Sequence, residues 1–295
     1  MKLVFCVNRE LGLHRELTDY LAQAPGGVGD MTDLGGENWT ALEREIDNDA
    51  ATELAEDVHM RFKDTPVEWS MVANDSRKKK LLISDMDSTV IGQECIDELA
   101  DFAGKKAEVS EITERAMRGE LDFDGALTTR VKMLAGLSTD VLQACFDERI
   151  HLNPGARTLV RTMASNGARC LLVSGGFTFF TSRVAAAAGF HADSANTLII
   201  ADDKLTGEVQ KPILGRQAKL DALNTACADI GCTVQDAIAM GDGANDLAMI
   251  EAAGLGIAYR AKPVVSEKAD AAIKGASLEP ALFFQGYRET QFVRD

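Results

Sequence analysis

The sequence is poor in positive charge, and this excludes two classes of partner. Its 295 residues include 31 basic and 46 acidic side chains, which gives a net charge of −15 at pH 7. Nucleic acids and anionic membrane surfaces both need a positively charged binding face. We therefore expect neither a nucleic-acid partner nor a membrane partner.

Long apolar runs and paired cysteines are also missing. No apolar stretch is long enough to span a bilayer, and the run in KLVFCV near the N-terminus is too short for a signal peptide. The six cysteines form no C-x-x-C pair, so we expect buried, reduced thiols and a cytoplasmic protein. The four histidines are scattered without ligand spacing, which argues against a zinc site.

A change of pattern near residue 76 predicts two domains. Residues 1–73 begin and end with strand-like segments, and a Gly-rich stretch and a helix-like acidic run lie between them. Residues 74–80 are polar and indicate a connector. We therefore predict a small α+β domain over residues 1–76 and a larger domain over residues 77–295.

Beyond residue 80, strands that are apolar throughout alternate with helices. The strand-like segments are LLIS, ARCLLVS, DAIAMG and LGIAY. This alternation is typical of a parallel sheet covered on both faces, so the predicted fold class is α/β with a Rossmann-like, doubly wound sheet. Several helices stop at a glycine (Gly167, Gly189, Gly231 and Gly254), where a left-handed C-cap is easiest.

Two further segments interrupt the alternation of strands and helices. An all-helical insert, here called the insert, follows the first core strand at about residues 92–150. The segment TLIIADDKLTGEV has a polar turn in its middle and predicts a hairpin appended to the sheet.

Residues that can react with or bind a ligand follow the ends of the predicted strands. They are, in chain order, Asp85, Asp87, Ser174, Gly175, Lys219, Asp242, Asn245 and Asp246. Lys219 belongs to a helix, and the others stand where a strand ends. Because ligands gather at the carboxyl ends of the strands in an open parallel sheet, we expect these residues to converge at one edge.

This set suits phosphoryl transfer through an aspartyl-phosphate. Asp85 would attack phosphorus, and Asp85 with Asp242 would hold Mg²⁺, which prefers oxygen ligands. Asp87 would protonate the leaving alcohol and later deprotonate water. Ser174 and the amide N–H groups beside it would bind the phosphoryl oxygens, and Lys219 would supply a fixed positive charge. Each motif alone is more often a loop or a solvated residue, so the prediction depends on their joint occurrence.

The same residues resemble a known family. DMDST, SGGF, Lys219 and GDGAND match the four motifs of the haloacid dehalogenase superfamily, and about residues 78–290 are similar to its phosphoserine phosphatase branch. The resemblance implies that Asp85 is the nucleophile and Asp87 the acid/base. It also implies that Mg²⁺ is held by Asp85, Asp242 and the backbone carbonyl of Asp87.

The resemblance extends to the remaining motif positions and to the insert. Asn245 and Asp246 match positions that support the metal and the substrate. Ser174 and Gly175 match the phosphate-binding turn. The insert lies where the family has a small helical cap that closes over the site and excludes water.

Two charged residues of the insert bear on the substrate. Arg130 shares a helical spacing with Phe123, Leu127 and Leu134, which places it on or near an apolar stripe. From the spacing alone, a surface ion pair explains Arg130 equally well. The resemblance implies that Glu94 binds the amino group and Arg130 the carboxylate of O-phosphoserine. Phe123 and Met117 stand at positions that resemble substrate-facing ones of the family, but by default both are interpreted as core of the insert.

The resemblance implies an Mg²⁺-dependent hydrolase that converts O-phospho-L-serine to L-serine and phosphate, the last step of serine biosynthesis. Transfer of the phosphoryl group to homoserine or another small alcohol stays open, as does hydrolysis of a different small phosphoester. Residues 1–76 are interpreted either as an amino-acid-sensing, ACT-like module or as a packing unit that forms a homodimer.

Overall fold

The N-terminal part of the protein is an antiparallel sheet with two helices on one face. A computed structural model describes residues 1–294. The elements of this part are β1 (Lys2–Asn8), α1 (His14–Gln23), β2 (Gly27–Asp33), β3 (Trp39–Ile46), α2 (Asn48–Phe62) and β4 (Glu68–Val72). Alternate residues of β1 point to opposite faces, so Leu3, Phe5 and Val7 pack under α1 and α2. Val4 and Cys6 face the main core instead.

The rest of the chain supplies parallel strands, the helices that cover them, and the insert. Its elements, in chain order, are β5 (Leu81–Ser84), α3 (Cys95–Phe102), α4 (Lys106–Met117), α5 (Phe123–Lys132), α6 (Asp140–Arg149), α7 (Ala156–Ser165), β6 (Arg169–Phe177), α8 (Thr178–Ala188), β7 (Ala192–Asn196), β8 (Leu198–Ala201), β9 (Lys204–Val209), α9 (Arg216–Asp229), β10 (Ala237–Gly241), α10 (Leu247–Ala252), β11 (Leu255–Tyr259), α11 (Pro263–Ser266), β12 (Ala271–Ile273) and α12 (Pro280–Phe284). None of the helices within residues 1–294 is long and apolar enough to cross a membrane.

Both parts share one sheet. Its strand order is β2-β3-β1-β4-β12-β11-β10-β5-β6-β7, and the strands from β12 to β7 run parallel. The N-terminal sheet joins this parallel part where β4 pairs antiparallel with β12, at Ser70–Ala271 and Trp69–Ala272. The predicted α/β, Rossmann-like fold is confirmed. The predicted domain boundary at residue 76 stays a prediction.

The insert contains the four helices α3 to α6, and an antiparallel bridge between Ile91 and Leu152 closes its base. The predicted hairpin exists as β8 and β9, but its predicted attachment to the main sheet is wrong. The hairpin forms a separate two-stranded sheet within the described part of the chain. Its backbone bonds to the insert, where Gly136 N donates to Leu205 O (2.8 Å) and Leu205 N donates to Leu137 O (2.9 Å).

The glycines that end helices have two different roles. Gly167, Gly189 and Gly231 adopt positive φ angles of 86°, 96° and 66°, as predicted for left-handed C-caps. The same prediction is wrong for Gly254, which has no positive φ. A Cβ atom at Gly254 would lie 2.0 Å from the carbonyl oxygen of Gln235, so glycine is required here by close packing of two backbones.

Gly254→Ala is therefore expected to lower the free energy of unfolding by about 1–3 kcal/mol, the usual cost of overpacking. The measurement is the midpoint of urea unfolding. Gly231→Ala is the matched control, because a Cβ there meets no atom within 4 Å and costs only the left-handed strain of about 1 kcal/mol. Equal midpoints for Gly254→Ala and the wild type would contradict the packing argument.

Candidate active site

The turn after β5 brings two aspartates to the carboxyl edge of the sheet. Asp85 N donates to Met240 O at the end of β10 (2.9 Å), which fixes the start of the turn. Ser88 adopts a φ of 54°, a left-handed conformation that bends the chain sharply. Asp85 and Asp87 are both buried and line one cavity between the sheet and the insert.

Asp87 is held from the sheet and from the insert. Its Oδ1 accepts from Cys95 N in the first turn of α3 (2.9 Å), and its Oδ2 accepts from Ser174 Oγ at the end of β6 (3.3 Å). Ser174 Oγ also accepts from Gly176 N (2.8 Å). A Cβ at Gly176 would lie 2.6 Å from Asp87 Oδ2, so only glycine lets this carboxylate approach the turn.

Lys219 is buried and forms two ion pairs. It is 1% exposed, and its Nζ lies 2.7 Å from Asp85 Oδ1 and 2.6 Å from Asp246 Oδ1. Asp246 Oδ2 in turn accepts from the backbone N–H groups of Asp242 and Gly243, both at 3.1 Å. The interpretation of Lys219 as a solvated helix residue is thereby excluded, and its positive charge is fixed beside Asp85.

The cluster has more negative than positive charge in a poorly solvated place. Burial and the nearby Asp246 raise the pKa of Asp85 to about 7, although Lys219 opposes the shift. Burial also raises the pKa of Asp87, against the hydrogen bond from Cys95 N–H. The pKa of Asp242 lies well above its usual range because of burial, Asp246 and Asp85. Any added cation would stabilise the ionised forms of these carboxyl groups.

Three carboxylates are close enough to hold a metal ion. Oxygen atoms of Asp85, Asp242 and Asp246 lie within 4.8 Å of one another. Both Asp246 oxygens are already bonded inside the protein, whereas Asp242 has no basic side chain within 4.0 Å among residues 1–294. Thr89 Oγ1 donates to Asp242 Oδ1 (3.3 Å) and helps to orient it. An all-oxygen set of this kind fits a hard cation such as Mg²⁺.

Glu94 and Arg130 face the same cavity from the insert. Arg130 is 6% exposed and forms no ion pair within residues 1–294. Its Nη1 donates to Thr113 Oγ1 (2.9 Å), and its Nε donates to Ala126 O (3.2 Å). Glu94 accepts from Ser88 Oγ (2.5 Å) and likewise has no basic partner within 4.0 Å in the described range. Burial, together with Asp87, raises the pKa of Glu94 well above its usual range. The interpretation of Arg130 as part of a surface ion pair is wrong.

The structure brings all the predicted site residues together. Those that line the cavity are Asp85, Asp87, Glu94, Arg130, Ser174, Gly175 and Asn245. Lys219, Asp242 and Asp246 form the cluster around Asp85. Phe123 and Met117, interpreted from the sequence as core of the insert, both line the cavity, and Phe123 also packs against the hydrophobic core. The individual roles of these residues stay predictions.

The sequence analysis missed Asn196, a buried residue at the end of β7. Its Nδ2 donates to Gly175 O (2.9 Å), and its Oδ1 accepts from Leu214 N (2.8 Å). Asn196 therefore connects the Ser174 turn to the segment that leads into α9 and Lys219. Its strand reads ADSAN, and so many small and polar residues give little strand signal.

Comparison with protein-family models matches residues 82–251 to the haloacid dehalogenase-like hydrolases. The chain belongs to this family. Among curated proteins, it is 47% identical over 208 residues to the phosphoserine phosphatase of Polaromonas sp. strain JS666. The aligned region covers 69% of this chain and 88% of the Polaromonas protein.

Two solved structures are also similar to this haloacid dehalogenase-like hydrolase. One is a phosphoserine phosphatase with an analogue of the phospho-aspartyl intermediate, which has a TM-score of 0.67 and 38% identity and covers 70% of this chain and 98% of its own. The other is an unliganded probable phosphoserine phosphatase from Vibrio cholerae, with a TM-score of 0.76 and 32% identity, which covers 98% of this chain and 88% of its own. The second therefore also matches the N-terminal part.

Proposed function

We propose that this protein hydrolyses O-phospho-L-serine through an aspartyl-phosphate on Asp85. One observation about the cavity supports this choice of substrate. Glu94 and Arg130 have opposite charges, line one cavity with Asp85, and have no ion-pair partner among residues 1–294. A buried charge without a partner is costly, so a ligand with an ammonium and a carboxylate group would satisfy both. Phosphoserine adds a phosphate that can meet Asp85, and the similarity to phosphoserine phosphatases supports the same substrate.

The reaction follows from the contacts of the two aspartates. A carboxylate oxygen of Asp85 attacks phosphorus, and the bond from phosphorus to the serine oxygen breaks. Asp87, whose pKa is raised by burial, gives its proton to that oxygen. It then takes a proton from the water that attacks the aspartyl-phosphate, which releases phosphate and restores Asp85. Ser174 and the amide N–H of Gly175 bind the phosphoryl oxygens.

We propose that Mg²⁺ is the cofactor and that Asp85, Asp242 and the backbone carbonyl of Asp87 hold it. When bound, the ion neutralises clustered negative charge and polarises the phosphoryl group. The excess of carboxylates over cations around Asp85 supports this assignment. Lys219 stays paired with Asp85 and stabilises the negative charge that develops on the phosphoryl oxygens.

Arg130→Ala tests the substrate. The variant is expected to raise KM for O-phospho-L-serine by about 10- to 100-fold, because a hydrogen bond to a charged group contributes about 1.5–3 kcal/mol. For O-phosphoethanolamine, which has the phosphate and the ammonium but lacks the carboxylate, KM is expected to change much less. Steady-state phosphate release measures both.

Arg115→Ala is the matched control for this experiment, because Arg115 belongs to the same insert but is half-exposed and pairs with Glu120. We expect it to leave both KM values near those of the wild type. Equal effects of Arg130→Ala on the two substrates would contradict the assignment of Arg130 to the carboxylate. Absence of phosphoserine hydrolysis by the wild type would overturn the proposed function itself.

We also propose a cytoplasmic location and a place at the last step of serine biosynthesis. The support for the first is that all six cysteines are unpaired thiols in the described range, five of them buried, as is usual in a reducing compartment. The second depends on the substrate proposed above. A homodimer formed through residues 1–76 and a sensing role for them stay predictions.

A further inference from the structure

We propose that Thr113 and Asp97 are positioning residues that aim the Arg130 guanidinium at the substrate carboxylate. This inference rests on the proposed function and assigns two residues to substrate specificity. Arg130 Nη1 donates to Thr113 Oγ1 (2.9 Å), and Thr113 Oγ1 donates to Asp97 Oδ1 (2.7 Å). The three side chains belong to α5, α4 and α3, so the chain of hydrogen bonds joins three helices of the insert.

Chemistry determines which group donates and which accepts in each of these hydrogen bonds. A guanidinium has donors only, so Thr113 must accept from Arg130. The single proton of the Thr113 hydroxyl is then available to Asp97 Oδ1, or to Val109 O at 3.0 Å. The carboxylate is the stronger acceptor and the nearer one. Because all three side chains are buried, successive hydrogen bonds polarise one another and strengthen the chain.

The arrangement holds the guanidinium at two points and leaves the rest of it for a ligand. Nε is bonded to Ala126 O and one N–H of Nη1 to Thr113, so the planar group cannot turn freely. The other three of its five N–H donors have no protein partner within residues 1–294. Free N–H donors therefore remain on both Nη1 and Nη2, and a carboxylate can accept from both nitrogens at once.

Thr113 also keeps Asp97 from competing with the substrate. Burial lowers the pKa of Arg130, and the nearby carboxylates of Glu94 and Asp97 oppose this shift. Yet no carboxylate of the described residues lies within 4.0 Å of the guanidinium. A direct ion pair with Asp97 would have to be broken by each incoming substrate. With the hydroxyl between them, Asp97 stabilises the arginine and leaves its free donors unoccupied.

The test uses Thr113→Val, which has nearly the same shape but no hydroxyl, with Thr113→Ser and Asp97→Asn beside it. The quantity measured is the ratio of kcat/KM for O-phospho-L-serine to kcat/KM for O-phosphoethanolamine. We expect this ratio to fall about 10-fold in Thr113→Val, the equivalent of one hydrogen bond of about 1.4 kcal/mol, mainly through KM for phosphoserine. Thr113→Ser should restore the ratio, and Asp97→Asn should give an intermediate value.

A double-mutant cycle with Arg130→Ala separates positioning from a merely structural role. If Thr113 acts through Arg130, adding Thr113→Val to Arg130→Ala causes no further loss of the ratio. An unchanged ratio in Thr113→Val, or equal losses with both substrates, would overturn the inference. If Thr113→Val does not fold, Asp97→Asn carries the same cycle. A wild type without any preference for phosphoserine would overturn the proposed function instead, so the two failures are distinguishable.

Discussion

Asp85→Asn is expected to lower the rate of phosphate release from O-phospho-L-serine by about 10⁴-fold or more, as removal of a nucleophile usually does. The asparagine amide has nearly the same shape but is a poor nucleophile, and it would leave Lys219 paired with Asp246 at 2.6 Å. The protein should therefore stay folded. The measurement is phosphate release with Mg²⁺ present, beside the thermal midpoint of the same sample.

Asp221→Asn is the control, since Asp221 is an exposed aspartate on α9, the helix that carries Lys219. It should retain the activity of the wild type. Removal of the metal by EDTA should abolish the activity of the wild type and of the control alike. If Asp85→Asn kept even a tenth of the wild-type rate while folded, the aspartyl-phosphate route would have to be abandoned.

Lys219→Met is expected to lower the free energy of unfolding by about 3–5 kcal/mol and to abolish activity, because removal of one partner of a buried ion pair leaves the other uncompensated. In this case two carboxylates, those of Asp85 and Asp246, lose their buried counter-charge. Urea unfolding without added metal measures the first effect, and phosphate release measures the second.

The double variant Lys219→Met/Asp246→Asn separates the two effects of Lys219. Removing the Asp246 charge should recover part of the lost stability, since less uncompensated charge is then buried. It should not recover activity, because the positive charge beside Asp85 is still missing. A Lys219→Met variant as stable as the wild type would show that the lysine is not needed to balance these carboxylates.

The convergence of the site could be predicted from the sequence because it depends on a general property of parallel sheets. Asp85, Ser174 and Asp242 each follow an apolar strand, and the carboxyl ends of parallel strands meet at one edge. The position of Arg130 on its helix could also be predicted, because spacing along a helix determines which side chains share a face. These inferences need only local patterns and one rule of topology.

Features that depend on distant partners could not be predicted. The need for glycine at Gly254 comes from the carbonyl of Gln235, and the placement of the β8–β9 hairpin comes from hydrogen bonds to the insert. Neither contact leaves a pattern in its own segment. That Arg130 is buried without an ion-pair partner within residues 1–294 is also a fact of three-dimensional distance. It is this fact that favours a zwitterionic ligand.

The double anchoring of Asp87 makes its acidity depend on the conformation of the insert. One of its hydrogen bonds comes from Ser174 on the sheet, but the other comes from the backbone of Cys95, at the start of the first helix of the insert. The bond from Cys95 lowers the proton affinity of Asp87. Burial has the larger effect and raises the pKa of Asp87, so a movement of the insert would change two opposing influences on this carboxyl group, the hydrogen bond from Cys95 and the exclusion of water.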